Sequence, residues 1–98
     1  MDNKKRANFY CYIAQTYINR FSELQDKKLL LDSVDFFYDA IKLDSKCIEA
    51  YIGLSYLEYI NGNIKEAYML LNKARLIEPV NIKVNRIRQL IKKEISSM

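Results

Sequence analysis

The chain has no histidine and no tryptophan, and only two glycines, one proline and two cysteines among its 98 residues. Each scarcity removes a class of function. Without histidine there is no imidazole to act as a general base near neutral pH or as a nitrogen ligand for a metal. Two isolated glycines cannot build a phosphate-cradling loop, and no GxSxG elbow is present. Cys11 and Cys47 lack CxxC spacing. They read as buried or half-buried thiols in a reducing cytoplasm, with a disulfide between them as the alternative. The longest apolar run, Phe9 to Ala14, is far short of the ~20 residues that span a bilayer. Lys4, Lys5 and Arg6 before it imitate the opening of a signal peptide, but the run is too short and Gln15 interrupts it. We therefore expect no catalytic residue, no cofactor, no metal and no membrane segment.

Half of the residues are hydrophobic, enough for a core. With so little glycine and proline, the composition predicts one small, nearly all-helical domain over residues 1–98. Charge is unevenly placed. Residues 1–22 carry four bases and one acid, residues 23–66 five bases and nine acids, and residues 67–98 seven bases and two acids. Basic ends thus flank an acidic middle, a polarity that steers partners or favours head-to-tail contact between copies.

Punctuation along the chain is sparse but clear. Asn61-Gly62 predicts a helix stop, because glycine tolerates the left-handed conformation after a last turn. Asn63, with Glu66 three residues on, predicts a capping-box start. Together they separate a helix near 46–60 from one near 64–78, and Pro79 then ends the unit. Ser33, Phe37 and Ala40 recur as Ala67, Leu71 and Ala74 at a constant offset, as Leu43-Asp44-Ser45 recurs in Ile77-Glu78-Pro79. A helix near 28–44 is therefore the counterpart of the one near 64–78. A last helix near 81–97 carries Val84, Ile87, Ile91 and Ile95 as one apolar stripe.

The stretch Glu49 to Pro79 resembles a tetratricopeptide repeat. Tyr51 takes the place of the first large aromatic, Leu54 the leucine after it, and Ser55 the small residue where paired helices cross. Gly62 falls in the turn, while Ala67, Leu71 and Ala74 supply the small, large, small series of the second helix. Glu58 departs from the family's usual aromatic, with Tyr59 one residue on. Upstream, Tyr10, Ile13, Ala14 and Tyr17 match the first-helix series better than the strict offset does. That match leaves about seven extra residues, roughly two turns, to lengthen the first helix to near Phe21 and leave a loop around Ser22–Asp26.

The resemblance implies an all-α, antiparallel helix-hairpin solenoid of about five helices. Repeat one would span about 7–45 with an insertion near 20–28, repeat two about 48–79, and a capping helix about 81–97. It also implies a non-catalytic adaptor or assembly factor in the cytoplasm that binds a protein or peptide in a concave groove. Position by position, that groove would draw on Asn8, Cys11, Tyr12, Gln15, Ile18 and Asn19 from the first helix. Glu49, Ile52, Gly53, Tyr56, Tyr59 and Ile60 would come from the third helix, and Lys83, Arg86, Ile87, Leu90 and Lys93 from the fifth, giving an aromatic and aliphatic middle with a basic margin. Some members of the family grip chaperone carboxylate tails through a lysine-asparagine-asparagine-lysine-arginine clamp. Those places here hold Cys11, Gln15, Gly53, Lys83 and Ile87, so that activity is not expected.

Three further features of the residues bear on function. Phe9, Tyr12 and Ile13 have no preceding repeat to cover them, and would form the seam of a homodimer if the chain is a structural self-assembly module. The basic ends would suit phosphates, but Glu94 interrupts the basic last helix and no nucleic-acid motif is visible, so they read as solubilising charge. Asp32, Asp35 and Asp39 share a helical face but lack any other ligand type, and read as a solvated face beside Lys28 and Lys42.

Overall fold

A computed structural model describes residues 2–97 as five α-helices: α1 (Asn3–Leu24), α2 (Lys27–Leu43), α3 (Ile48–Ile60), α4 (Ile64–Ile77) and α5 (Ile82–Ser96). Among the described residues there is no strand. The fold is all-α, and its helices pack as hairpins in chain order: α1 along α2, α3 along α4, and α5 on α4. Contact between α2 and α3 joins the first hairpin to the second. The result is a slab 42 × 32 × 18 Å, about two helix layers thick. Its accessible surface of 6724 Å² exceeds the roughly 5,800 Å² of a compact monomer of this mass.

Local chemistry sets each boundary. Asp2 starts α1 by accepting a hydrogen bond from the Lys5 amide at 2.8 Å. Ala7, Cys11, Ala14 and Ile18 recur at helical spacing and form its buried face. The helix continues to Leu24, one turn past the expected end near Phe21. Gln25 closes it in the left-handed conformation (φ 56°), donating its amide to the Phe21 carbonyl at 2.8 Å. The very next residue, Asp26, caps α2 by accepting from the Lys28 amide. The expected loop at Ser22–Asp26 is therefore absent. Most of the extra residues became helix, because two competent end signals sit side by side at Gln25 and Asp26.

The end of α3 follows expectation. Gly62 adopts φ 86° and donates to the Tyr59 carbonyl at 3.0 Å, while the Asn63 amide reaches the Glu58 carbonyl at 2.8 Å. This is a Schellman closure. The expected capping box at Asn63 does not form. Its side-chain amide turns back to donate to the Glu58 carboxylate at 2.8 Å, and makes no bond to the first turn of α4. At α5 the capping role is filled by Asn81, which accepts from the Val84 amide at 3.0 Å.

Helix α3 is the central element, with Ile52, Gly53, Leu54 and Ser55 all buried in succession. Ala50, Leu54 and Leu57 face a cluster with Ala7, Cys11, Ala14, Phe37 and Ala40. Ile52 faces a second cluster with Ala67, Leu71, Ala74, Val84 and Ile91. Small residues set the close approaches. The Ser33 hydroxyl of α2 lies 3.1 Å from the Ala14 carbonyl of α1 and 2.9 Å from the Leu29 carbonyl, so the buried oxygen is satisfied on either side. Tyr10 stacks on Phe36, and Tyr17 meets the same ring edge-on. Tyr10 and Tyr17 are thus packing residues, as is half-buried Tyr51, whose hydroxyl donates to the Ser45 carbonyl.

The tightest approach is Phe37 on Gly53. A β-carbon added at Gly53 would run into the Phe37 ring. Phe37 is fully buried, so its ring cannot swing out without disturbing the packed cluster around it. We expect Gly53→Ala to destabilise the fold by about 1–3 kcal/mol through overpacking. Gly62→Ala, which meets open space but keeps a positive φ, should cost about 1 kcal/mol. Urea unfolding of the two variants reads both values. A Gly53→Ala protein as stable as the parent would show that α2 and α3 are not this close.

Candidate binding groove

Helices α1, α3 and α5 enclose an open groove of about 790 Å³. Its α1 wall is polar and uncharged at the rim, with Gln15, Asn19 and Ser22 above buried Ile18. Gln15 donates its amide to the Asn19 side chain at 3.1 Å, which orders the pair along the rim. The α3 floor presents Glu49, Ile52, Gly53 and Ser55, then Tyr56, Tyr59 and Ile60. The α5 wall presents Lys83, Ile87, Leu90, Ile91 and Glu94. These positions repeat at three, four and seven, so each helix turns one continuous stripe toward the groove.

Two large side chains are notably free. Tyr56 is 50% exposed and Leu90 59% exposed, and both look into the same space. Tyr59 is held in place. Its hydroxyl donates to the Glu94 carboxylate at 2.9 Å, bridging α3 to α5 across one end of the groove. That hydrogen bond, with the nearby negative charge, raises the Tyr59 pKa above the ordinary tyrosine value. Opposite, the Arg88 guanidinium stacks over Tyr68 at 5.2 Å and donates to Asn72 at 2.6 Å. These contacts bind α5 to α4 and leave Lys83 and Leu90 exposed on its groove face.

Of the residues expected here, Gln15, Ile18 and Asn19 of α1, Glu49, Ile52, Gly53, Tyr56, Tyr59 and Ile60 of α3, and Lys83, Ile87 and Leu90 of α5 line the groove. Asn8, Tyr12, Arg86 and Lys93 are exposed but stand outside the wall. Cys11 is buried beneath it, against Cys47. The displacement on α1 has a simple cause. The wall consists of Gln15, Ile18, Asn19 and Ser22, each seven residues after an expected Asn8, Cys11, Tyr12 and Gln15. Seven residues are close to two turns, so both sets share a face. Because α1 runs to Leu24, its C-terminal half stands beside α3. Arg86 is displaced for a related reason, since the stripe through Lys83, Ile87, Leu90 and Glu94 leaves it a quarter turn away. Glu94 was missed altogether. Its signal was the helical spacing from Lys83, hidden because it read only as an interruption in a basic helix.

Among the described residues, no group of three or more cysteine, aspartate or glutamate side chains is close enough to hold a metal ion. No helix there is long and apolar enough to cross a membrane. Comparison with known proteins finds no matching family model, no matching curated protein and no matching solved structure.

The clasp between Tyr59 and Glu94 has a pH signature. A hydroxyl whose folded pKa is raised contributes stability below its unfolded pKa, about 10, and loses it as pH rises through the folded value. In a spectrophotometric alkaline titration, the difference between the parent chain and Tyr59→Phe should be one tyrosinate step above the ordinary tyrosine range. A step at the ordinary value would show that the clasp does not form in solution.

Proposed function

We propose that the chain is a non-catalytic interaction module, an adaptor or assembly factor of tetratricopeptide-repeat type, which binds a protein segment in the groove between α1, α3 and α5. The observation that carries this reading is the pairing of Tyr56 and Leu90, two large and half-exposed side chains set across a concave space of about 790 Å³. Leaving both in water forgoes apolar burial worth about 25 cal/mol per Å², and an aromatic or aliphatic side chain of a partner recovers it. Tyrosine is suited to such a role, because it offers a large face with few rotatable bonds. The amide rim of Gln15 and Asn19 supplies hydrogen bonds without charge, while Glu49, Lys83 and Glu94 place mixed charge at the margins. The matching partner is an apolar segment with polar flanks rather than a strongly charged chain. Binding would be an equilibrium process, helped by a groove already formed.

Selection from a random peptide library tests this reading. Peptides enriched on the immobilised chain should carry aromatic or aliphatic anchors. They should bind the Tyr56→Ala/Leu90→Ala double variant at least about tenfold more weakly, the equivalent of one hot-spot contact. Enriched peptides that bind parent and double variant equally would place the interaction elsewhere.

One observation favours a second reading, self-assembly along α1. Phe9 and Tyr12 are 57% and 71% exposed, one turn apart on the same helix, with Ile13 half-buried beside them. Light scattering over a concentration series separates the two. The groove-binding reading predicts a mass of 11.6 kDa throughout. A concentration-dependent doubling, abolished by Tyr12→Lys, would establish the structural module instead.

A further inference from the structure

Cys11 lies in the middle of α1 and Cys47 at the N-cap of α3, 36 residues later in sequence, yet their Sγ atoms are 3.4 Å apart. Both are free thiols, and both are buried, at 7% and 5% exposure. Packing alone requires only two small apolar side chains at these places. The arrangement supplies something more specific: two sulfurs from different helical elements in direct contact, so that an approach of about 1.4 Å would bring them to the ~2 Å length of a disulfide bond. We propose that Cys11 and Cys47 are a reversible modification site, at which a hydroperoxide oxidises the pair to an intramolecular disulfide that clamps α1 to the start of α3.

The chemistry balances with the peroxide as sole oxidant. One sulfur, as thiolate, attacks a peroxide oxygen; the O–O bond breaks, and with the released proton the leaving hydroxide becomes water. The sulfenic acid so formed is then attacked by the neighbouring sulfur. An S–S bond forms, the S–O bond breaks, and a second water leaves with the second thiol's proton. The sulfur pair loses two electrons and the peroxide gains them. Burial, and then the contact with Cys47, push the Cys11 thiol well above the usual thiol range. The attacking thiolate is therefore scarce, and oxidation at this pair is slower than at a free thiol. The low residual exposure admits a peroxide far more readily than a bulky disulfide.

The position gives the clamp a consequence. Gln15 follows Cys11 by one turn and lies on the α1 wall, and Glu49 follows Cys47 by two residues and lies on the α3 floor. A covalent bond here joins that wall to the floor, whatever the groove binds. It also closes a loop of 36 residues, long enough to remove substantial freedom from the unfolded chain.

The test uses the full chain treated with hydrogen peroxide. The product is then alkylated with a maleimide in denaturant, weighed intact, and unfolded thermally in a parallel sample. Expected are the loss of two hydrogens, no alkylation, and an unfolding midpoint raised by roughly 10 °C, all reversed by dithiothreitol. Cys11→Ser should show none of these changes, and the result on the parent chain stands even if that variant folds poorly. The proposal is overturned if both thiols remain alkylatable after peroxide exposure prolonged well beyond that which oxidises a free-cysteine peptide. Oxygen additions on the separate cysteines, chain-to-chain disulfides, or a midpoint that fails to rise would overturn it equally.

Discussion

A phenyl ring laid against bare backbone joins the two hairpins. Phe37 of α2 occupies the place where any other residue at position 53 would put its β-carbon, and this contact sets how closely α3 can lie on the first hairpin. Burying a phenylalanine contributes about 1.5–3 kcal/mol, but the larger effect is geometric. Phe37 also packs with Ala14, Ala40 and Leu54. The ring therefore fixes the separation of α1 and α3 as well, because α1 reaches α3 through the same cluster. The close approach of Cys11 to Cys47 depends on that separation. So does the width of the groove, whose floor is the other side of the same α3 segment.

The groove itself follows from unequal helix lengths. α1 is 22 residues long and α3 is 13. The surplus turns of α1 extend along the slab, so its C-terminal half stands beside the floor while Phe9 and Tyr12 stand clear of it. Helix α5 forms the other wall while packing on α4. Val84 and Ile91 enter the second cluster, and Arg88 holds Tyr68 and Asn72. One face of α5 is thereby consumed, and Leu90 on the adjacent face remains free. Among the described residues, only the bond from Tyr59 to Glu94 ties α5 across the groove to α3 by side-chain hydrogen bonding. It lies in the exposed surface, so it orients the wall more than it stabilises the fold.

Much of this is legible in the residues themselves. Helix content, the stop at Gly62, the break at Pro79 and the apolar stripe of α5 all rest on local chemistry that does not depend on distant partners. The recurrence of Ser33, Phe37 and Ala40 in Ala67, Leu71 and Ala74 marked two equivalent helices, and each of these six residues is buried. The resemblance to a tetratricopeptide repeat implies Tyr56 and Tyr59 in the groove, and both line it. Two local readings failed where side chains had a choice. Asn63 bonded backward to Glu58 instead of capping forward, and Gln25 accepted a left-handed conformation that favours glycine.

The sequence by itself determined that this chain is helical, where most of its helices begin and end, and which face of each is apolar. Those properties follow from backbone propensities and periodicity over a few turns. Only the tertiary structure decided which of two equivalent turns of α1 forms the groove wall, since residues seven apart share a face and no local signal distinguishes them. It alone placed Leu90 opposite Tyr56, joined Tyr59 to Glu94, and brought Cys11 to Cys47. Each of these pairs is formed by residues far apart in the chain, and their meeting depends on how helices pack rather than on how any one of them forms.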